Sequence, residues 1–86
     1  MPASSKRLFR AVVDSLRDDP CSRIKSAGYE KTGGQALHEK AFDLVGERQS
    51  RGGVVIDFAA NGVMHFVGLS ASYNIGDPSK FEFRLI

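Results

Sequence analysis

The sequence lacks several features that define common protein classes. It has one cysteine, Cys21, and no tryptophan among 86 residues, and its 12 Lys and Arg nearly balance 10 Asp and Glu. A single cysteine cannot form an internal disulfide or a multi-cysteine metal site, so we expect a reducing, cytoplasmic environment. Apolar runs are far shorter than the ~18–20 residues that span a bilayer, and we expect no membrane partner.

What is present is the composition of a globular domain. Hydrophobic residues make up 42% and charged residues 26% of the chain, and the formal net charge is +2. A chain of this length buries only about 60–65% of its unfolded surface, so most apolar side chains are needed for one core. We therefore predict a single domain over residues 1–86. The spacing of histidine, cysteine and carboxylate residues predicts no metal, no cofactor and no catalytic group.

Helical periodicity marks the beginning of the chain. Leu8, Val12 and Leu16 recur at four-residue steps, with charged residues on the other side. This spacing predicts an amphipathic helix of three to four turns. Serine is a favoured N-cap residue, so we expect Ser4 or Ser5 to cap this helix.

Two further helices are expected before residue 50. Asp19-Pro20 predicts the start of a short helix that runs to about Ser26 and is closed by Gly28. Apolar residues at helical spacing begin again at Leu37 and predict a third helix that ends near Gln49.

From residue 53 onward the apolar period changes to two, which is typical of β-strands. Strands are predicted over residues 54–58, 63–69 and 80–86, and Asn61-Gly62 predicts a hairpin between the first two. Helices followed by strands predict an α+β fold, in which two or three N-terminal helices pack on one face of a three-stranded antiparallel β-meander.

The register of the hairpin decides which side of the sheet each residue faces. A two-residue turn on Asn61-Gly62 pairs Phe58 with His65, whereas a three-residue loop that includes Ala60 pairs Asp57 with His65. The second register sorts apolar from polar residues better, and we therefore predict it. The residues that it collects on one face are Ile56, Phe58, Met64 and Phe66.

This register leaves an outer face on which valines alternate with charged residues. Such a face is too apolar for plain exposure and too charged for a core, so it is a candidate partner surface. We predict a non-catalytic protein-binding module, such as an adaptor, inhibitor or regulatory subunit. The last strand is expected at a sheet edge, where it could pair with a second copy in a homodimer. The candidate partner-binding residues are Val55, Asp57, Val63, His65, Val67, Glu82 and Arg84.

A winged-helix-like nucleic-acid-binding regulator is the alternative hypothesis. Three helices and a hairpin describe that fold, with the third helix as the reading helix. The exposed side of that helix carries three carboxylates, which would face phosphates at an electrostatic cost. The basic residues better placed to contact nucleic acid are Lys6, Arg7, Arg10, Arg17, Arg23 and Lys25.

A small toxin-type endoribonuclease is the third hypothesis. The residues that would supply its acid–base and phosphate-binding groups are His65, Asp57, Glu82 and Arg84. This hypothesis rests on an analogy between folds, and a cross-strand ion pair is the favoured explanation of Asp57 opposite His65.

Overall fold

The chain folds as two helices followed by an antiparallel sheet. A computed structural model describes residues 2–74 and 76–86, with side chains for residues 7, 9–73, 76, 77 and 80–86. These residues form the α-helices α1 (Pro2–Asp18) and α2 (Pro20–Ser26) and the 3₁₀ turns Tyr29–Thr32 and Glu39–Ala41. The four strands that follow are β1 (Phe42–Ser50), β2 (Gly53–Ala60), β3 (Val63–Asn74) and β4 (Asp77–Leu85).

The first helix begins earlier than its predicted caps. Helix α1 starts at Pro2, so Ser4 and Ser5 lie within the helix, and the predicted N-cap is wrong. Proline is well tolerated in a first helical turn, because the backbone N–H that it lacks has no partner there. The predicted side-chain positions of Lys6 and Leu8 lie outside the described side chains.

Helix α2 forms over the predicted residues because its ends carry strong local signals. The Asp19 carboxylate accepts a hydrogen bond from the backbone N–H of Ser22 at 3.3 Å, which is an N-cap interaction. Beyond the C-terminal end, Gly28 adopts φ +100°, a left-handed conformation that glycine adopts without strain. The predicted boundaries of this helix are confirmed.

The predicted third helix is wrong, because residues 42–50 form strand β1. Phe42 and Leu44 alternate toward the core, and the pairing with β2 then shifts at Val45, which forms a β-bulge. The bulge breaks the period of two, so the apolar spacing resembles that of a helix. Gly46 in the middle of the segment disfavours a helix. The sheet therefore has four strands, not three, and the reading helix of the winged-helix hypothesis does not form.

The sheet is a meander, because its strands lie side by side in the order β1-β2-β3-β4 and all pairs are antiparallel. The α+β class and the antiparallel sheet are thus confirmed. Neither described helix is long and apolar enough to cross a membrane. Both helices pack on one side of the sheet, and the core between them is formed by Val12, Val13, Leu16, Cys21, Ile24, Leu37, Val54, Ile56, Phe58, Ala60, Val67, Leu69 and Phe83.

The β2–β3 hairpin has the two-residue turn, so the predicted three-residue loop is wrong. Asn61 has φ +54° and Gly62 has φ +79°, and Phe58 lies opposite His65. Two positive φ values define a type I′ turn, whose twist matches that of the strands. Because a shift of one residue moves every side chain of a strand to the other face, Met64 and Phe66 point away from the helices.

Candidate functional site

The side of the sheet opposite the helices, here called the open face, is a surface against which neither described helix packs. Side chains alternate between the two faces of a strand, so the pairing registers assign each residue to one side. The opposite side is called the helix-covered face. The open face includes Val45, Arg48, Val55, Asp57, Met64, Phe66, Gly68, Glu82, Arg84 and Ile86.

Large hydrophobic side chains are exposed on the open face. Phe66 is 73% exposed, Ile86 69%, Met64 60% and Val45 58%. Leaving one such side chain in water forgoes roughly 1.5–3 kcal/mol of burial energy. Contiguous exposed apolar surface is a feature of interaction sites.

Ile86 continues the apolar surface from β3 toward β4. Its backbone N–H donates a hydrogen bond to the carbonyl of Gly68 at 3.0 Å. Gly68 has no side chain, and a Cβ placed there would lie 3.4 Å from Ile86 Cδ1. Ile86 therefore lies beside Gly68, which is the next residue after Phe66 on the open face of β3.

Four charged residues of the open face form two ion pairs. Arg48 donates hydrogen bonds to both carboxylate oxygens of Asp57, at 3.1 and 2.8 Å. Arg84 donates two hydrogen bonds to Oε1 of Glu82, also at 3.1 and 2.8 Å. Exposed ion pairs of this kind contribute little to stability. The exposed apolar residues are therefore accompanied by charges of both signs.

The structure divides the predicted partner-binding residues between the two faces. Val63, His65 and Val67 lie on the helix-covered face, and their predicted outward orientation is wrong because of the two-residue turn. Val67 is a core residue at 6% exposure, while Val63 is exposed near the turn at 48%. Those that do lie on the open face are Val55, Asp57, Glu82 and Arg84.

His65 is enclosed by aromatic rings on the helix-covered face. Its imidazole stacks on Phe58 with a centroid distance of 5.2 Å, and its Nδ1 lies 3.3 Å from Oη of Tyr29. Its Nε2 is buried and has no hydrogen-bond partner among the described residues. The predicted pair of Asp57 with His65 does not form, because the two side chains lie on opposite faces.

The residue set of the endoribonuclease hypothesis is therefore not assembled. His65 is separated by the sheet from Asp57, Glu82 and Arg84, and the carboxylates of Asp57 and Glu82 pair with arginines. An acid–base pair must lie within hydrogen-bonding reach of a common substrate atom. The sheet prevents this arrangement for these four residues.

Two of the predicted nucleic-acid-binding residues make contacts within the protein. Arg17 of α1 forms an ion pair with Glu47 of β1. Arg23 of α2 lies 3.8 Å from the Asp18 carboxylate, and its guanidinium carbon lies 5.6 Å from the centre of the Phe83 ring. Arg17 remains exposed beside its ion pair, and so do Arg7, Arg10 and Lys25.

The remaining groups with chemical potential are dispersed. Cys21 is buried in the core, and desolvation by burial raises the pKa of its thiol. His38 is exposed in the connection before β1. Within residues 2–74 and 76–86, no three His, Cys, Asp or Glu side chains are grouped so that they could hold a metal ion.

The sequence interpretation missed three exposed hydrophobic residues of the open face. Met64 and Phe66 were expected in the core, and Val45 in a helix. The signal that could have identified the two β3 residues is Asn61-Gly62, because this dipeptide favours a two-residue hairpin turn.

Comparison with known proteins adds no relative. No family model, no curated protein and no solved structure matches this chain. The function is therefore inferred from the geometry and chemistry of the open face.

Proposed function

We propose that this chain is a non-catalytic protein-binding module of the adaptor, inhibitor or regulatory-subunit type, and that its open face binds the partner. The observation that carries the proposal is Phe66, which is 73% exposed at the centre of a sheet face that neither described helix covers. Met64 lies two residues away on the same strand and is also exposed. Aromatic residues and methionine are enriched in protein interfaces.

The charges of the open face favour a protein over a nucleic acid. Arg48 and Arg84, the arginines of the face, are each bound by a carboxylate. A nucleic-acid surface needs an excess of positive charge to displace the counterions of the phosphates. The partner that fits is a protein surface with an apolar centre and charges of both signs at its rim. With Lys80, which alternates to the same side of β4, the face has three cations, and they are balanced by Asp43, Asp57 and Glu82.

The test compares two aspartate variants on opposite faces of the sheet. Phe66→Asp places a charge at the centre of the open face, and Val63→Asp places one at an exposed position of the helix-covered face. Wild type and both variants are immobilised and exposed to nuclease-treated native extract, and retained proteins are quantified by mass spectrometry. We expect a stoichiometric protein partner with wild type and Val63→Asp, and its loss with Phe66→Asp.

The affinity of that partner is then measured with purified components. A central aromatic contact at a protein interface contributes at least ~2 kcal/mol, so Phe66→Asp should weaken binding by about thirtyfold or more. Circular dichroism shows whether each variant is folded. Equal binding by wild type and a folded Phe66→Asp would overturn the proposal, as would retention of nucleic acid alone in the absence of nuclease.

A further inference from the structure

Strand β4 forms one edge of the described sheet, and half of its backbone groups point away from β3. The Ile86 N–H donates to the Gly68 carbonyl at 3.0 Å, and Leu69 lies opposite Leu85 in the same ladder. In an antiparallel ladder, alternate residues direct both backbone groups toward the same neighbour. Residues 82, 84 and 86 therefore point their backbone groups toward β3. The residues that point theirs toward the open edge are Phe81, Phe83 and Leu85.

The other edge of the sheet is less suited to strand pairing. Strand β1 carries the bulge at Val45, which interrupts its ladder, and bulges are a common protection of sheet edges. Strand β4 pairs with β3 without interruption from Phe81 to Leu85. A regular edge of this kind can accept another strand.

We propose that β4 pairs with β4 of a second copy of this chain, antiparallel and about a two-fold axis at Phe83. Phe83 then lies opposite Phe83 of the partner subunit, and Phe81 lies opposite Leu85 of the partner subunit. Each of these pairs exchanges both backbone hydrogen bonds. The two sheets become one sheet of eight strands. This homodimer uses the backbone of the sheet edge, and of the open-face residues only Glu82 and Arg84 take part in it.

The charge pattern of β4 selects this axis. Lys80, Glu82 and Arg84 alternate in sign, and an axis at Phe83 places Glu82 opposite Arg84 of the partner subunit on both sides. An axis at residue 82 or 84 places Glu82 or Arg84 opposite the same residue of the partner subunit. The two like charges then repel each other. Glu82 and Arg84 of the partner subunit would not exchange backbone hydrogen bonds. The side chains of such a pair lie closer together than those of a hydrogen-bonded pair, which favours the charge pair.

An axis at Phe81 is the other arrangement that opposes unlike charges, since it places Lys80 opposite Glu82 of the partner subunit. It requires a regular strand on the N-terminal side of Phe81. The ladder with β3 is irregular there, because the register shifts between Tyr73 and Asn74 and resumes at Asp77. The axis at Phe83 uses only the regular part of the strand.

The side chains on the helix-covered face also favour a neighbouring strand. Phe81 and Leu85 are packed against the core but remain partly exposed. In the proposed pairing they lie opposite each other across the two-fold axis, so each covers the other. Apolar contact therefore accompanies the backbone hydrogen bonds.

A charge-exchange series tests the proposal. The mass of the purified chain is measured by sedimentation equilibrium over about 1–200 µM, because a dimer with a standard or smaller interface can dissociate in this range. We expect a dimer for wild type. Glu82→Arg and Arg84→Glu each oppose like charges and should weaken association by about tenfold. The double variant Glu82→Arg/Arg84→Glu restores opposite charges and should return association to near the wild-type value.

Two further variants separate this dimer from different modes of self-association. Lys80→Glu should leave association unchanged with the axis at Phe83, but would abolish the charge pair with the axis at Phe81. Phe66→Asp should still dimerise, so a failure of the open-face proposal does not affect this test. A wild type that stays monomeric throughout the range overturns the dimer, and so does a folded double variant that fails to associate.

Discussion

Whether a phenylalanine of the β2–β3 hairpin is buried or exposed depends on the register of that hairpin. Phe58 is fully buried and stacks on Phe42 with a centroid distance of 5.1 Å, whereas Phe66 is 73% exposed. Both belong to strands of the same hairpin, and the sequence pattern groups them together. The turn at Asn61-Gly62 places them on opposite faces.

The two phenylalanines should therefore differ in their contribution to stability. Phe58→Ala removes a buried ring and should lower the free energy of unfolding by about 3–5 kcal/mol. Phe66→Ala removes an exposed ring and should change it by less than about 0.5 kcal/mol. Urea unfolding followed by circular dichroism measures both. Comparable losses for the two variants would contradict the observed register.

Cys21 should be a poorly reactive thiol in the folded protein. Burial raises the pKa of the thiol, so less thiolate is present at a given pH, and the thiolate is the nucleophile. Alkylation by iodoacetamide at pH 8 should be slower in the native protein than in urea. Because the folded pKa is raised, stability should fall as the pH rises above the ordinary thiol pKa. Equal alkylation rates in the two states would show that the thiol is accessible.

At the scale of the secondary-structure element, the β2–β3 turn is the strongest local constraint. Gly62→Ala places a side chain at φ +79° and should cost about 1–2 kcal/mol. Gly46→Ala is the matched control, because a Cβ at that position meets nothing within 4 Å and the φ is not positive. Thermal unfolding should show a lower melting temperature for the first variant alone. A similar decrease for Gly46→Ala would indicate strain elsewhere in the sheet.

The elements that could be predicted from the sequence are those with strong local signals. Helix α2 has a capping aspartate and a proline at its first turn, and strands β2 and β3 have a period of two around Asn61-Gly62. Strand β1 lacks such a signal, because its bulge at Val45 shifts the alternation and brings Glu47 to the side of α1. On that side, the Glu47 carboxylate forms an ion pair with Arg17, a tertiary contact that local sequence does not indicate.

The sequence predicts that the sheet has an open face, but it does not predict all of the residues on that face. The outward positions in β2 and β4 follow from alternation, and the structure places them as expected. For β3, the separation of apolar from polar residues favours one register and the Asn61-Gly62 turn favours another. The structure has the register of the turn. The exposure of Met64 and Phe66 is the result of that conflict. Departures from a consistent hydrophobic pattern are expected at functional surfaces.

At the scale of the whole molecule, the helices and the open face lie on opposite sides of one sheet, and its two outer strands differ. The radius of gyration of the Cα atoms is 12.8 Å for one copy. Pairing through β4 separates the two centres by about 19 Å, since four strands lie at about 4.8 Å spacing, and raises this radius to roughly 16 Å. Small-angle scattering should show this increase with concentration in wild type. A radius that stays near the 12.8 Å of one copy at every concentration would exclude the dimer, and Glu82→Arg should need a higher concentration than wild type for the same increase.

The order of the strands in the sheet also has a consequence for the rate and the order of folding. Each strand pairs with its neighbour along the chain, so the strand pairs form between segments of small sequence separation. Proteins with such local pairing fold fast for their size, because little loop entropy is lost before contacts form. The tight turn at Asn61-Gly62 is the natural nucleus, and stopped-flow kinetics should give high φ-values there and low ones in α1. The meander would then assemble outward from its central hairpin before the helices dock.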